Sequence, residues 1–349
     1  MKSIALWSYY TDLFYNGNVL NNSDAGIGDD ALYGVNKLYA EAKSRNYYIT
    51  TLDQVENLNN LDLIICFDYP RPFKNYKDYV NLKKIESFKK FKYLILHECD
   101  VIKKNNWQTS NHKNWDKIFT WNDQFIDNKK YFKLNMSPRK NINIQRISFD
   151  KKKFSTIICS NKFFSHPNQL FSERLNCINF FEKNCPNDLD LYGVGWEKKV
   201  FDLNNFFIRK LNHLSFLFPY KEPSVWHGPI DKKKDVLPYY KFNFVFENSK
   251  NLQGYILEKI FDSFICKSVP IYFGASNITD YIPEDCFIDL RKFQNYSSLY
   301  HYLSSMKSYN HDLIIDKIEN YLESESYKNN FHVNKFTSIL LNHIKSDLG

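Results

Sequence analysis

The stretch Lys241 to Gly274, KFNFVFENSKNLQGYILEKIFDSFICKSVPIYFG, decides the fold. Phe242, Phe244 and Phe246 alternate with Asn243, Val245 and Glu247, the period of a strand with one strongly apolar face. Polar residues from Glu247 to Gly254 interrupt that run and read as a loop. After Gly254, residues Leu257, Ile260, Phe261, Phe264 and Ile265 recur at helical spacing, while Tyr255, Glu258, Lys259 and Asp262 fall on the opposite, polar side. Val269 to Phe273 is extended again, since Pro270 excludes a helix and Gly274 ends the run. Such a strand, helix, strand unit is expected to be a parallel crossover, with the loop Glu247 to Gly254 at the carboxyl end of its strand and at a helix N-terminus. Backbone N–H groups and the positive end of the helix dipole attract phosphate there; Lys259 adds a full charge and Glu258 can accept from ribose hydroxyls. By periodicity alone, Glu258 and Lys259 read equally well as solvated helix residues.

Outward from this unit, apolar runs alternate with helical patterns along the whole chain, which predicts α/β layers. Upstream the expected strands are Ile4 to Trp7, Tyr48 to Thr51, Leu61 to Phe67, Tyr93 to Leu96 and Lys117 to Trp121, with a helix from Asp30 to Ala40. The polar, basic stretch from Met136 to Lys153 reads as a linker, and Phe154 to Ser160 and Asp190 to Gly193 restart the strand pattern. Two consecutive domains follow, 1–145 and 146–330. The tail 331–349, with Phe336, Ile339, Leu340 and Ile344 on one helical face, either closes the second domain or crosses back to the first.

The 349 residues, 43% hydrophobic and 25% charged, exclude a stapled mini-scaffold and a disordered chain. Seven scattered cysteines without a CxxC pair fit neither a disulfide framework nor a zinc site. No apolar run approaches the roughly 18–20 residues of a membrane helix, and the opening Met1 to Ser8 turns polar at Thr11 and Asp12. The expected location is cytoplasmic, or peripheral to the inner face of a membrane. A formal charge of +8 favours acidic partners, with an anionic membrane surface among them. Asp188-Leu189-Asp190 has DxD spacing but runs straight into Leu191-Tyr192-Gly193, so it reads as a strand entry; neither HExxH nor a phosphate-loop motif occurs.

Phe246-Glu247-Asn248-Ser249, Tyr255, Glu258-Lys259, Val269-Pro270-Ile271-Tyr272 and Gly274 together resemble the signature of α-1,3-fucosyltransferases, the family 10 glycosyltransferases. The likeness extends through Tyr240-Lys241-Phe242, Tyr192-Gly193, Ser160-Asn161 and Arg174, and upstream through His97-Glu98 and Phe119-Thr120-Trp121. Leu257 stands where the family usually has Thr, and Cys99-Asp100 follow Glu98 where many members have Ser-Pro or Pro-Pro. The resemblance implies a GT-B fold, two Rossmann-like domains facing a central cleft, the first for the acceptor and the second for the nucleotide sugar. It implies an inverting transfer of L-fucose from GDP-β-L-fucose to a GlcNAc-containing glycan, with no required cofactor and no metal. Arg174 and Lys259 would hold the diphosphate, Asn248, Ser249 and Tyr255 the phosphate or sugar, and Glu258 the ribose.

Glu98 lies just past the run Tyr93 to Leu96, at the carboxyl end of an expected strand, and the reaction needs a carboxylate to take the acceptor proton. Glu98 is therefore the expected general base, although a Glu after a strand is, by itself, as readily a surface residue. The expected partners are a GDP-sugar and an oligosaccharide or glycoconjugate acceptor, without nucleic acid. Two alternatives stand beside this reading: transfer from another GDP-sugar or a nucleotide deoxysugar, and a basic, aromatic-rich nucleic-acid or glycan-binding protein without catalysis.

Overall fold

In the computed structural model, which describes residues 1–22, 29–71, 76–135, 140 and 142–349, the apolar runs become two separate parallel sheets. The chain divides into two units: Met1–Lys140 with Lys328–Gly349, and Asn141–Tyr327.

The first unit is built on β1 (Lys2–Ser8), α1 (Tyr33–Ser44), β2 (Tyr47–Thr51), β3 (Leu63–Phe67), α2 (Tyr76–Ser87), β4 (Phe91–Leu96), β5 (Lys117–Thr120) and β6 (Tyr131–Lys133). Its strands lie in the order β2-β1-β3-β4-β5-β6, every pair parallel. Because helices cover a parallel sheet on both faces, its strands are apolar at nearly every position. Ala5, Trp7, Ile64, Cys66, Leu94, Leu96 and Ile118 pack with Leu52, Ile85 and Phe88 on one side. Helix α1 begins at Tyr33, three residues later than the sequence suggests, and buries Gly34, Val35, Leu38 and Ala42.

The second unit contains β7 (Lys153–Ile158), α3 (Phe171–Asn184), β8 (Leu189–Tyr192), β9 (Tyr240–Phe246), α4 (Glu258–Ile265), β10 (Val269–Phe273), β11 (Ile288–Asp289), α5 (Tyr296–Ser305) and α6 (Ser308–Glu323). The strand order is β11-β10-β9-β7-β8, again all parallel, and the register sets Val269 opposite Phe242 and Phe273 opposite Phe246. Strand β9 is central, so the expected polar face is absent: Asn243 and Val245 are as buried as the Phe residues, and the Asn243 amide donates to Ser263 Oγ at 2.7 Å. Residues 136–139 and 141 of the expected linker lie outside the described residues. Further on, Arg146 binds Asp316 and the Asp312 carbonyl on α6, so that part of the stretch is anchored to the second unit.

The final helix, α7 (Val333–Leu348), packs against α1 in the first unit. It buries Phe336, Leu340, Leu341 and Ile344, with Leu341 taking the place expected for Ile339. The Tyr93 hydroxyl donates to the His343 carbonyl at 3.0 Å, and Lys117 pairs with Asp347 at 2.6 Å.

Candidate active site

In an open parallel sheet, ligands bind beyond the carboxyl ends of the strands where the strand order reverses. In the second unit that point lies between β7 and β9, and the chain leaving β9 carries Glu247, Asn248 and Ser249. Arg174, near the start of α3, is buried against it. One guanidinium nitrogen donates to the carbonyls of Phe246 (3.1 Å) and Glu247 (2.9 Å) and to Asn248 Oδ1 (3.0 Å), and the guanidinium lies over the Phe171 ring. Segment 168–170 stitches down the same turn: Leu170 N–H donates to the Asn248 carbonyl and Lys250 N–H to the Asn168 carbonyl. Ser249 is fully buried and its hydroxyl donates to the Asn168 carbonyl at 3.3 Å, so it faces this seam.

Helix α4 starts at Glu258, not directly after Gly254. Residues Tyr255 to Leu257 are buried, and Tyr255 is 0% exposed, so it does not share a polar helix face with Glu258 and Lys259. Gly254 makes this geometry with φ +78°, and its N–H donates to Asn277 Oδ1 at 2.8 Å. Asp262 departs from the expected solvated face as well, buried and paired with Lys233 at 2.6 Å.

Glu247 organises the end of this helix. It is 0% exposed; one carboxylate oxygen accepts the Leu257 N–H at 2.8 Å and the other accepts Lys259 Nζ at 3.0 Å. Leu257, at the N-cap, has no side-chain oxygen to offer its helix, and the buried carboxylate binds the Leu257 N–H from ten residues upstream. Burial pushes the Glu247 carboxyl up, against the pull of Lys259. For Lys259 burial disfavours the ammonium, but Glu247 and Glu258 outweigh it and hold its pKa above the ordinary lysine value. Glu258 Oε1 stands 3.7 Å from Lys259 Nζ. Gly274 makes room for this arrangement: a Cβ there would come within 2.5 Å of Glu247 Cγ and 2.4 Å of the Tyr272 hydroxyl.

The structure thus brings together Arg174, Asn248, Glu258 and Lys259, places Ser249 and Tyr255 in buried supporting positions, and adds Glu247, which the sequence reading treated as the start of a solvated loop.

In the first unit the reversal lies between β1 and β3. Three segments gather beyond it and the adjacent β4: Tyr10, Asp68 and the turn from His97 to Asp100. Asp68, buried and at φ +65°, accepts the backbone N–H groups of His97 (2.8 Å) and Glu98 (3.0 Å) and the Asn106 amide. The Glu98 carbonyl accepts from Trp107 Nε1 at 3.0 Å and Asn106 Nδ2 at 3.1 Å. Its side chain stays partly exposed and accepts the Tyr10 hydroxyl at 2.7 Å. Burial and the charge of Glu98 push the Tyr10 hydroxyl far above the ordinary tyrosine range, so it remains a donor at any working pH. Tyr10 and Asp68 were missed in the sequence, although both, like Glu98, lie within three residues of the end of an expected strand.

A model of glycosyltransferase family 10 (fucosyltransferase), C-terminal, matches residues 148–339, which contain all of the second cluster. The chain belongs to this family. Its relatives include an α-(1,3)-fucosyltransferase of Helicobacter pylori, 29% identical over 101 residues, covering 28% of this chain and 21% of the relative. An α-(1,4)-fucosyltransferase of Arabidopsis thaliana is 39% identical over 70 residues, covering 20% of this chain and 17% of that one. The chain thus spans about a fifth of the length of these relatives. Over nearly its whole length it superposes on a crystal structure of an α1,3-fucosyltransferase, with TM-score 0.53, 16% identity, and 99% and 90% of the two chains covered. An α-glucosyltransferase in complex with UDP-glucose and DNA containing an abasic site superposes at TM-score 0.58 with 9% identity, covering 99% of each chain. These structures establish the fold, GT-B, with two α/β units each built on a parallel sheet. Among the described residues no cluster of three or more His, Cys, Asp or Glu could hold a metal ion, and no helix is long and apolar enough to cross a membrane.

Proposed function

We propose that the chain is an inverting glycosyltransferase that moves L-fucose from GDP-β-L-fucose to a hydroxyl of a GlcNAc-containing glycan, with the donor on the second unit and the acceptor on the first. The observation that carries this reading is the cationic pair at the second switch point. Arg174 and Lys259 come from different helices, and each is locked by buried oxygen partners beside the N-terminus of α4. Fixed cations of this kind suit a diphosphate, because they stabilise negative charge growing on a leaving nucleotide without having to reorganise. Asn248 would help hold the phosphate or sugar, and Glu258 would accept from ribose hydroxyls. One of the solved α1,3-fucosyltransferase structures that share this fold was crystallised with GDP-fucose.

In the proposed step the acceptor oxygen attacks the anomeric carbon while Glu98 takes its proton. The bond to the diphosphate oxygen breaks, and GDP leaves with the electron pair from the opposite face. The charge on GDP is assigned to Arg174 and Lys259, so the reading asks for no resident metal or cofactor.

Thermal-shift measurements with GDP, GDP-fucose, UDP and CDP test it, since a ligand that binds only the native state raises the melting temperature. Guanine nucleotides should stabilise the chain selectively. Equal responses to all four would overturn the donor assignment.

A further inference from the structure

Between β8 and β9 the chain makes a long excursion that leaves the sheet at its carboxyl end, the edge that carries Arg174 and Asn248. Residues 206–221 of it, FFIRKLNHLSFLFPYK, show an unusual surface. Phe207, Phe216 and Leu217 are 79%, 75% and 64% exposed, and Ile208, Leu214 and Tyr220 are exposed beside them. Scattered apolar residues on a surface need no explanation, but so many within one short segment do.

The segment is held in place. Asn205 caps the short helix Phe206–Lys210 through the N–H groups of Phe207 and Ile208, and Asn212 bonds both backbone groups of Phe201. Asp202 accepts the Ser165 N–H, Leu203 N–H donates to the Phe163 carbonyl, and the Phe201 and Phe218 rings pack 4.9 Å apart. The exposed side chains are thus displayed by an anchored backbone, and folding has not turned them inward.

Charge identifies the partner. Lys198, Lys199, Arg209, Lys210 and Lys221 are exposed on and around the segment, against the acids Glu182, Glu197, Asp202 and Glu222. Asp202 is already engaged by backbone N–H groups, and Glu197 pairs with Lys198. A second copy of this chain would oppose like charges across the contact. A lipid surface with anionic headgroups offers both an apolar interior for Phe and Leu and negative charge for Arg and Lys.

We propose that residues 206–221 dock the protein on an anionic membrane surface, with Phe207, Phe216 and Leu217 entering the boundary of the acyl region and Arg209 and Lys210 meeting headgroup phosphates. This placement holds whichever nucleotide sugar the second unit takes, because docking is read without transfer.

Co-sedimentation of the full chain tests it, using vesicles of phosphatidylcholine alone and of phosphatidylcholine mixed with phosphatidylglycerol. Binding should favour the mixed vesicles, weaken with added salt, and fall by about tenfold or more in a Phe207→Ser, Phe216→Ser, Leu217→Ser triple variant whose GDP-induced thermal shift is unchanged. An Arg209→Ser, Lys210→Ser variant keeps the apolar side chains and should lose the preference for phosphatidylglycerol, which serves if the triple variant folds poorly. The proposal fails if the full chain ignores both vesicle types or if the variants bind as the parent does. It fails equally if ultracentrifugation shows self-association through these residues without vesicle binding.

Discussion

Counted from the first strand of each, the two sheets follow one order, β2-β1-β3-β4-β5 and β8-β7-β9-β10-β11, so each unit has its reversal point in the same place. What stands there differs. The second unit encloses its charges: Glu247 is sealed from water between the Leu257 N–H and Lys259, and Arg174 is spent on backbone carbonyls and Asn248. The first unit buries Asp68 to fix the backbone of the Glu98 turn but leaves the Glu98 carboxylate within reach of solvent, with the Tyr10 hydroxyl on one oxygen. Fixed charge is what a leaving phosphate needs, whereas a group that must receive a proton has to stay accessible. On the proposed reading, one topology supports an electrostatic cradle in one unit and a proton acceptor in the other.

The sharpest way to break this contrast is Glu98→Gln, which keeps the shape and the Tyr10 contact but cannot take a proton. Turnover should fall by about two to four orders of magnitude at saturating substrates, while GDP affinity and melting temperature stay put. Near-normal turnover would move the base elsewhere, with Asp100 the first substitute.

Next in size is the buried pair. Removing Lys259 as Ala strands the Glu247 carboxylate in the interior, so the substitution should destabilise the second unit by about 3–5 kcal/mol as well as weaken GDP binding. Removal of a lysine that merely sat on a solvated helix face, as periodicity alone allows, would leave the fold intact. Glu247→Gln, which keeps size and some hydrogen bonding, should cost less in urea unfolding than Lys259→Ala. Equal stability of the Lys259→Ala protein and its parent would show that the pair is not closed to water.

The smallest effect belongs to Tyr10→Phe. The Tyr10 hydroxyl holds one Glu98 oxygen at 2.7 Å, so its loss should lower turnover by loosening that carboxylate while leaving GDP affinity unchanged. At the optimum pH the rate should change by no more than about tenfold. Unchanged turnover would mean that Tyr10 only packs against the turn.

The sheets were readable in the sequence because parallel strands are covered on both faces and appear as unbroken apolar runs, as in Leu63–Phe67 and Tyr93–Leu96. Strands β6 and β11, with three and two residues, are too short to show any period. The start of α4 was misplaced because Tyr255, Ile256 and Leu257 are apolar or aromatic residues that continue the helical spacing without being helical. Glu247 was unreadable for a deeper reason. A carboxylate after a strand looks solvated unless its partners are known, and these lie ten and twelve residues on, brought back only by the crossover.

Helix α7 gives the first unit a discontinuous pedigree, with an order of events during synthesis as its consequence. The ribosome delivers β1 to β6 before the whole of the second unit, and only after both the segment Val333–Leu348 that covers the α1 face and receives the Tyr93 hydroxyl. Asn141–Tyr327 can condense as soon as it emerges, whereas the earlier unit waits, its apolar seam uncovered, until Val333–Leu348 has been made. The nascent chain is thus expected to lean on chaperones at the first unit rather than at the second.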